Sequence, residues 1–201
     1  MATTDAWEHR DTLGGVALDP RLGAIARRLA GMPLRVRGGE VLVKNPGDNG
    51  STGLHDDEAF ALLDSRITLN AWVALIDVPV ERGCLTFLPG SHRRGGQERI
   101  DPTQPSLSDV AREDADSDLF TYWPQLRWSP RVTVPLRAGD VTFHQRRTAH
   151  LAGADTASEA RVSMLITFTD AEATYRPLPG HDPLPYQAGQ RLPDGRYSLV
   201  A

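Results

Sequence analysis

Two stretches far apart in the chain, Ile67 to Ile76 and Arg161 to Thr169, constrain the fold more than any other feature. In the first, Ile67, Leu69, Ala71, Val73 and Leu75 alternate with Thr68, Asn70 and Trp72. In the second, Val162, Met164, Ile166 and Phe168 alternate with Arg161, Ser163 and Thr167. A period of two puts one set on each face of an extended strand, so both stretches read as strands with one core face and one face carrying polar groups. Val36 to Val43 (broken at Gly38-Gly39), Cys84 to Leu88, Val132 to Leu136 and Val141 to His144 are further extended segments bounded by Gly, Pro or Asp. One clear helix precedes them: Asp19 serves as N-cap, Pro20 takes the first position, Leu22, Ile25, Ala26 and Leu29 recur at helical spacing, and Gly31 ends it. Many strands with a few flanking helices predict a mainly β protein, a sandwich or a jelly roll, and periodicity does not choose between them.

The chemistry is concentrated in His55-Asp56-Asp57 and in His150. In extended chain, His55 and Asp57 point to one side and Asp56 to the other, so the outer two can share one metal ion. His150, arriving from a distant strand, completes two imidazoles and one carboxylate on one face of an octahedron. The remaining positions stay open for a co-substrate and O2, the arrangement of non-haem Fe(II) oxygenases. His144 and His92 compete with His150 for the distal place, His144 by spacing alone; His9 and His181 sit in poorly patterned terminal segments. Arg161 and Ser163 share one strand face, and a guanidinium fork beside a hydroxyl suits bidentate capture of a carboxylate. Trp72 and Asn70 share a face that would line the inside of a ligand cavity. Cys84, between apolar neighbours, reads as a packing residue.

The stretches VLVKNPGDNGSTGLHDD, ITLNAWVALIDVPVERGCLTFLPGSH and GDVTFHQRRTAHLAGADTASEARVSMLITF resemble the phytanoyl-CoA dioxygenase family in order and spacing, from about Val41 to Phe168. The resemblance implies a double-stranded β-helix, a cupin-like jelly roll whose mouth holds the metal. It implies His55, Asp57 and His150 as iron ligands, Arg161 with Ser163 as partner of the distal carboxylate of 2-oxoglutarate, and Trp72 and Asn70 as co-substrate-site residues, with His144 a neighbour or support of the ligands. The implied cofactors are Fe(II), 2-oxoglutarate and O2. The implied activity is hydroxylation of an aliphatic C–H of a small molecule, with release of succinate and CO2. Because Asp57 supplies a carboxylate where related halogenases carry Gly or Ala, the resemblance implies an oxygenated rather than a halogenated product. Two departures stand out. Leu151-Ala152-Gly153 replaces the Gly-Ser-Gly that many relatives carry after the distal histidine, and the chain before Asp19 is short, as in a minimal form or a truncation.

A chain of 201 residues suits one domain, and a net charge of −4 offers no basic field for nucleic acid. A single cysteine, no charged-then-apolar leader and no apolar run of about 18 residues predict a cytoplasmic protein without a membrane span, a monomer or homodimer acting on a small molecule. The long polar and acidic stretch 93–131, with Asp109, Glu113, Asp114, Asp116 and Asp118, is expected as a solvated surface segment or a lid over the substrate. Arg93, Arg94, Arg146 and Arg147 are expected to form a basic rim at the mouth. Two rival readings use the same residues: a zinc hydrolase with Asp56 or Glu58 as base, and a jelly-roll binding protein without catalysis.

Overall fold

The computed structural model describes residues 2–3, 11–47, 50–58, 61–94, 119–178 and 184–200. Its strands are β1 (Ala2–Thr3), β2 (Leu34–Lys44), β3 (Thr52–His55), β4 (Leu63–Asp64), β5 (Thr68–Ala74), β6 (Leu85–Phe87), β7 (Val132–Val134), β8 (Val141–Gln145), β9 (His150–Ala152), β10 (Arg161–Asp170) and β11 (Thr174–Tyr175), with helices α1 (Asp11–Ala17), α2 (Pro20–Ala30) and α3 (Leu119–Tyr122). A five-stranded sheet in the order β1-β2-β10-β5-β8 faces a four-stranded sheet in the order β3-β9-β6-β7. Every pairing is antiparallel. The fold is the jelly roll expected from the sequence, with few helices.

The alternation in β5 and β10 sorts as predicted. Leu69, Ala71, Val73, Met164, Ile166 and Phe168 form a core on the outer face of the large sheet, closed by Leu13, Val16, Ala17, Leu22 and Ala26 of α1 and α2. Asp19 caps α2 by accepting from the Arg21 backbone N–H at 2.8 Å, and Gly31 takes the left-handed conformation at its C-terminus. Within α2, however, Ile25 and Leu29 are exposed; the helix docks through the small residues Gly23 and Ala26. Gly38-Gly39 does not interrupt β2. That strand is hydrogen-bonded to β10 along its whole length, and the irregularity appears instead as a register shift opposite Thr167 and Phe168.

Between the sheets, Trp72, Ala74, Val78, Cys84, Leu85 and Ala152 make a second core, with Cys84 buried as expected. A third lies outside the small sheet, where Leu54, Leu88 and Ala149 meet Leu119, Phe120, Trp123 and Leu126. These last four residues are buried, which corrects the expectation of a solvated segment for their part of 93–131, although Trp128 is largely exposed; the acidic part of that stretch, 95–118, lies outside the described residues. The segment after β11, read as irregular chain, docks on β2: the Val36 N–H donates to the Ser198 carbonyl and the Val200 N–H to the Leu34 carbonyl, each at 2.9 Å. Among the described residues no helix is long and apolar enough to cross a membrane.

Candidate metal centre

His55 closes β3 and His150 opens β9, and the two are register partners in the small sheet, with ring centroids 4.4 Å apart. Asp57 follows two residues after His55, its backbone N–H donating to the Arg146 carbonyl at 2.8 Å. Ligand atoms of His55, Asp57 and His150 all lie within 4.8 Å of one another, close enough for one metal ion. Each imidazole is oriented the same way: Nδ1 of His55 contacts the Gly53 carbonyl at 2.8 Å and Nδ1 of His150 the Thr148 carbonyl at 2.9 Å. A proton on each Nδ1 fixes the tautomer that leaves Nε2 as a lone-pair donor, and Nε2 of His55 stands 3.8 Å from Asp57 Oδ1. Asn70 of β5 donates to Asp57 Oδ2 at 2.6 Å and accepts from the Thr167 hydroxyl at 3.1 Å, so the carboxylate is held from the opposite sheet.

Electrostatics favour the ligating forms. Burial pushes the His55 pKa down to about 4, helped by His150, and burial likewise lowers His150. Burial alone would raise Asp57, but His150, His144 and His55 outweigh it and hold the carboxyl below its ordinary range. Two unprotonated imidazoles and an ionised carboxylate accept a cation without first losing protons.

At the other end of the inner face, β10 places Arg161 opposite Lys44 of β2. Arg161 donates through Nη1 to the Gly83 carbonyl at 2.6 Å, its guanidinium lies 5.6 Å from the centre of the Trp72 ring, and its buried Nε has no hydrogen-bond partner among the described residues. Gly83 is at φ 68°, and a Cβ there would collide with the Gly153 carbonyl, so only glycine allows this approach. Asp155, fully buried, accepts from the Arg161 backbone N–H at 3.2 Å and fixes the start of β10. Ser163 is buried on the same face, donating to the Leu42 carbonyl at 3.5 Å. Two neighbouring buried cations, one with an unpartnered donor, fit the distal carboxylate of a dicarboxylate co-substrate.

A profile of the family described as phytanoyl-CoA dioxygenase matches residues 2–163. The chain belongs to the phytanoyl-CoA dioxygenase family. Among curated relatives of this family, phytanoyl-CoA dioxygenase domain-containing protein 1 of Mus musculus is 26% identical over 174 residues, covering 83% of this chain and 55% of the relative. That of Bos taurus is 34% identical over 128 residues, 55% of this chain and 43% of the relative. The chain thus spans about half the length of the curated phytanoyl-CoA dioxygenase relatives it matches. Among solved structures, the non-haem alpha ketoglutarate-dependent carbocyclase SnoK from nogalamycin biosynthesis is 40% identical with a TM-score of 0.86, over 100% of this chain and 75% of that one. The epimerase SnoN, solved with Fe3+, alpha ketoglutarate and nogalamycin RO, is 39% identical with a TM-score of 0.82, over 100% and 78%.

The structure redistributes the other candidates. His144, on β8 opposite Asn70, is buried with its ring 4.7 Å from that of His150, but its Nε2 is 3.8 Å from Asp57 Oδ2, beyond hydrogen-bond reach. His92 lies in the turn after β6, outside the metal group; His9 and His181 fall outside the described residues. The basic rim is corrected for Arg94 and Arg146, whose charges are turned to ion pairs within the fold. Arg94 is buried in an ion pair with Asp56, stacks on Trp123 at 4.4 Å, and donates to the Ser91 and Arg147 carbonyls, while Arg146 pairs with Glu58. Those pairs also engage the two carboxylates that a hydrolase would need as base. Sequence reasoning missed Lys44, Asp155 and Phe87; only Lys44, a cation directly after the apolar run Val41-Leu42-Val43, carried a local signal.

Proposed function

We propose that this chain is an Fe(II)/2-oxoglutarate-dependent oxygenase that oxidises a C–H bond of a small natural-product molecule. His55, Asp57 and His150 hold the iron. Arg161, with Ser163 and Trp72 beside it, receives the distal carboxylate of 2-oxoglutarate. The observation that carries the reading is the matched pair of imidazoles, each tied through Nδ1 to a backbone carbonyl two residues away and each leaving Nε2 toward Asp57. When bound, iron with 2-oxoglutarate and O2 supplies the oxidising power. The chain's own residues do the rest. The Asn70 amide fixes the Asp57 carboxylate, Trp72 covers Arg161, and the Phe87 ring packs 5.2 Å from His144 and 6.0 Å from His150.

Hydroxylation, with succinate and CO2 released, is the first reading of the outcome. Intramolecular ring closure or epimerisation is the second, favoured by kinship at 40% and 39% identity over the whole chain with a carbocyclase and an epimerase. Anaerobic addition of Fe(II) and 2-oxoglutarate should produce a visible charge-transfer band, and its absence with retained zinc would favour the hydrolase. In aerobic incubations with a metabolite library, a product heavier by about 16 mass units marks hydroxylation, one lighter by about 2 marks ring closure, and one of unchanged mass with consumed co-substrate marks epimerisation.

A further inference from the structure

Three carboxylates follow one another at the metal centre, Asp56, Asp57 and Glu58, and each has the chemistry to ligate iron. Among the described residues, only Asp57 joins the metal group with His55 and His150. The two flanking carboxylates are taken by arginines. Asp56 pairs through Oδ2 with Arg94, the two side chains 4% and 3% exposed, and its Oδ1 accepts from the Glu58 backbone N–H at 3.0 Å. Glu58 Oε2 pairs with Arg146 Nε, and this pair too is largely buried.

The same arginines reach the segment that leads into His150. Arg94 donates through Nη1 to the Ser91 carbonyl at 2.9 Å and to the Arg147 carbonyl. From the turn that precedes Arg94, the Ser91 hydroxyl accepts from the Ala149 N–H at 2.8 Å, one residue before His150. Arg146 holds Glu58 with its side chain, while its own carbonyl accepts from the Asp57 N–H at 2.8 Å. Its guanidinium also donates to the Leu63 carbonyl at 3.2 Å and to the Thr68 hydroxyl at 3.3 Å, at the start of the strand that carries Asn70. Residues 56–58 and 146–149 are thus joined at each successive position: Asp56 through Arg94 to Arg147, Asp57 by its backbone to Arg146, and Glu58 to the Arg146 side chain. One of these segments carries Asp57 and follows His55; the other leads into His150.

Buried ion pairs are weak evidence for stability, because desolvating both charges offsets much of their attraction. Two such pairs, one on each side of a ligand, act instead on geometry and on the choice of ligand. We propose that Arg94 and Arg146 are positioning residues of the iron site: they hold Asp56 and Glu58 in ion pairs, leave Asp57 as the ligating carboxylate, and set its place relative to His150 before the metal binds. The inference rests on the oxygenase reading above and adds to it residues that act through the ligands rather than on the metal. Arginine suits the task, since one planar fork reaches a carboxylate and backbone carbonyls together, which a lysine does not.

The test compares double variants of the full chain under anaerobic conditions. Asp56→Asn with Arg94→Met, and Glu58→Gln with Arg146→Met, remove both charges of a pair, a change that is often near neutral for stability. Asn at 56 keeps an oxygen for the Glu58 N–H. As control, Arg66→Met with Asp170→Asn removes an ion pair at the end of β10, outside both segments. Each of the first two should weaken Fe(II) by roughly ten- to hundredfold in chelator competition and shift the visible absorption of bound Co(II), which reports ligand number and geometry. The control should hold Fe(II) affinity within about twofold, with the Co(II) spectrum unchanged. Arg94→Lys keeps a charge beside Asp56 without the fork; it should weaken Fe(II) by about three- to tenfold, and it decides the matter should a double variant fail to fold. Absence of Fe(II) binding in the wild type sinks the oxygenase reading and this inference with it. With wild-type binding intact, unchanged affinity and Co(II) spectrum in either pair variant, an equal loss in the control, or full affinity in Arg94→Lys overturns the positioning role alone.

Discussion

The two faces of the five-stranded sheet are built from the same strands and do opposite things. On the outer face, Leu69, Ala71, Val73, Met164, Ile166 and Phe168 are sealed under α1 and α2. On the inner face, the intervening residues Asn70, Trp72, Arg161 and Ser163 are just as buried, yet they carry polar groups, some with incomplete hydrogen bonding. Burial therefore does not distinguish the two faces; unmet hydrogen-bonding capacity does. Apolar groups removed from water stabilise the fold at about 25 cal/mol per Å², whereas the Arg161 Nε, buried without a hydrogen-bond partner among the described residues, is a group that a bound carboxylate would satisfy.

This contrast can be broken by substitutions on the two faces of the same sheet. The largest effect is expected for Phe168→Ala, which opens a cavity in the outer core and should lower the unfolding free energy by about 3 to 5 kcal/mol in urea titrations. Its 2-oxoglutarate affinity, measured on the folded fraction, should stay within about twofold; a large loss would mean the faces are coupled. Arg161→Ala should act in the opposite sense, weakening 2-oxoglutarate by about 1.5 to 3 kcal/mol in the anaerobic band titration, with iron content intact. Asn70→Ala removes one hydrogen bond to Asp57 and should weaken iron binding by about 1 kcal/mol in chelator competition. The smallest effect is expected for Thr142→Val, which replaces a buried unpartnered hydroxyl with a methyl. Its stability should change by less than about 0.5 kcal/mol or rise, and a clear loss would reveal a partner for that hydroxyl.

What was legible in the sequence follows from range. The alternation in β5 and β10, the Asp19 cap and the Gly31 stop are local signals, and each element lies where it was read. α1 was not read because its seven residues include Gly14 and Gly15, poor helix formers held by packing of Leu13 and Val16. The supposed break at Gly38-Gly39 failed for a related reason, since ladder hydrogen bonds from β10 override the weak strand preference of glycine. At the site, the His55–Asp57 pairing is a two-residue pattern and was visible. The choice between His144 and His150 was not, because it depends on one histidine joining the small sheet opposite His55 and the other joining the large sheet opposite Asn70. Arg94 and Arg146 were misread as rim residues because their partners, Asp56 and Glu58, lie distant in sequence from them.

The most direct test of the metal assignment is therefore iron content by elemental analysis in two variants prepared side by side, His150→Ala and His144→Ala. The account predicts that His150→Ala loses iron and the 2-oxoglutarate charge-transfer band, while His144→Ala retains both. Iron retained in His150→Ala, or lost only in His144→Ala, would contradict it and move the distal ligand to the other sheet.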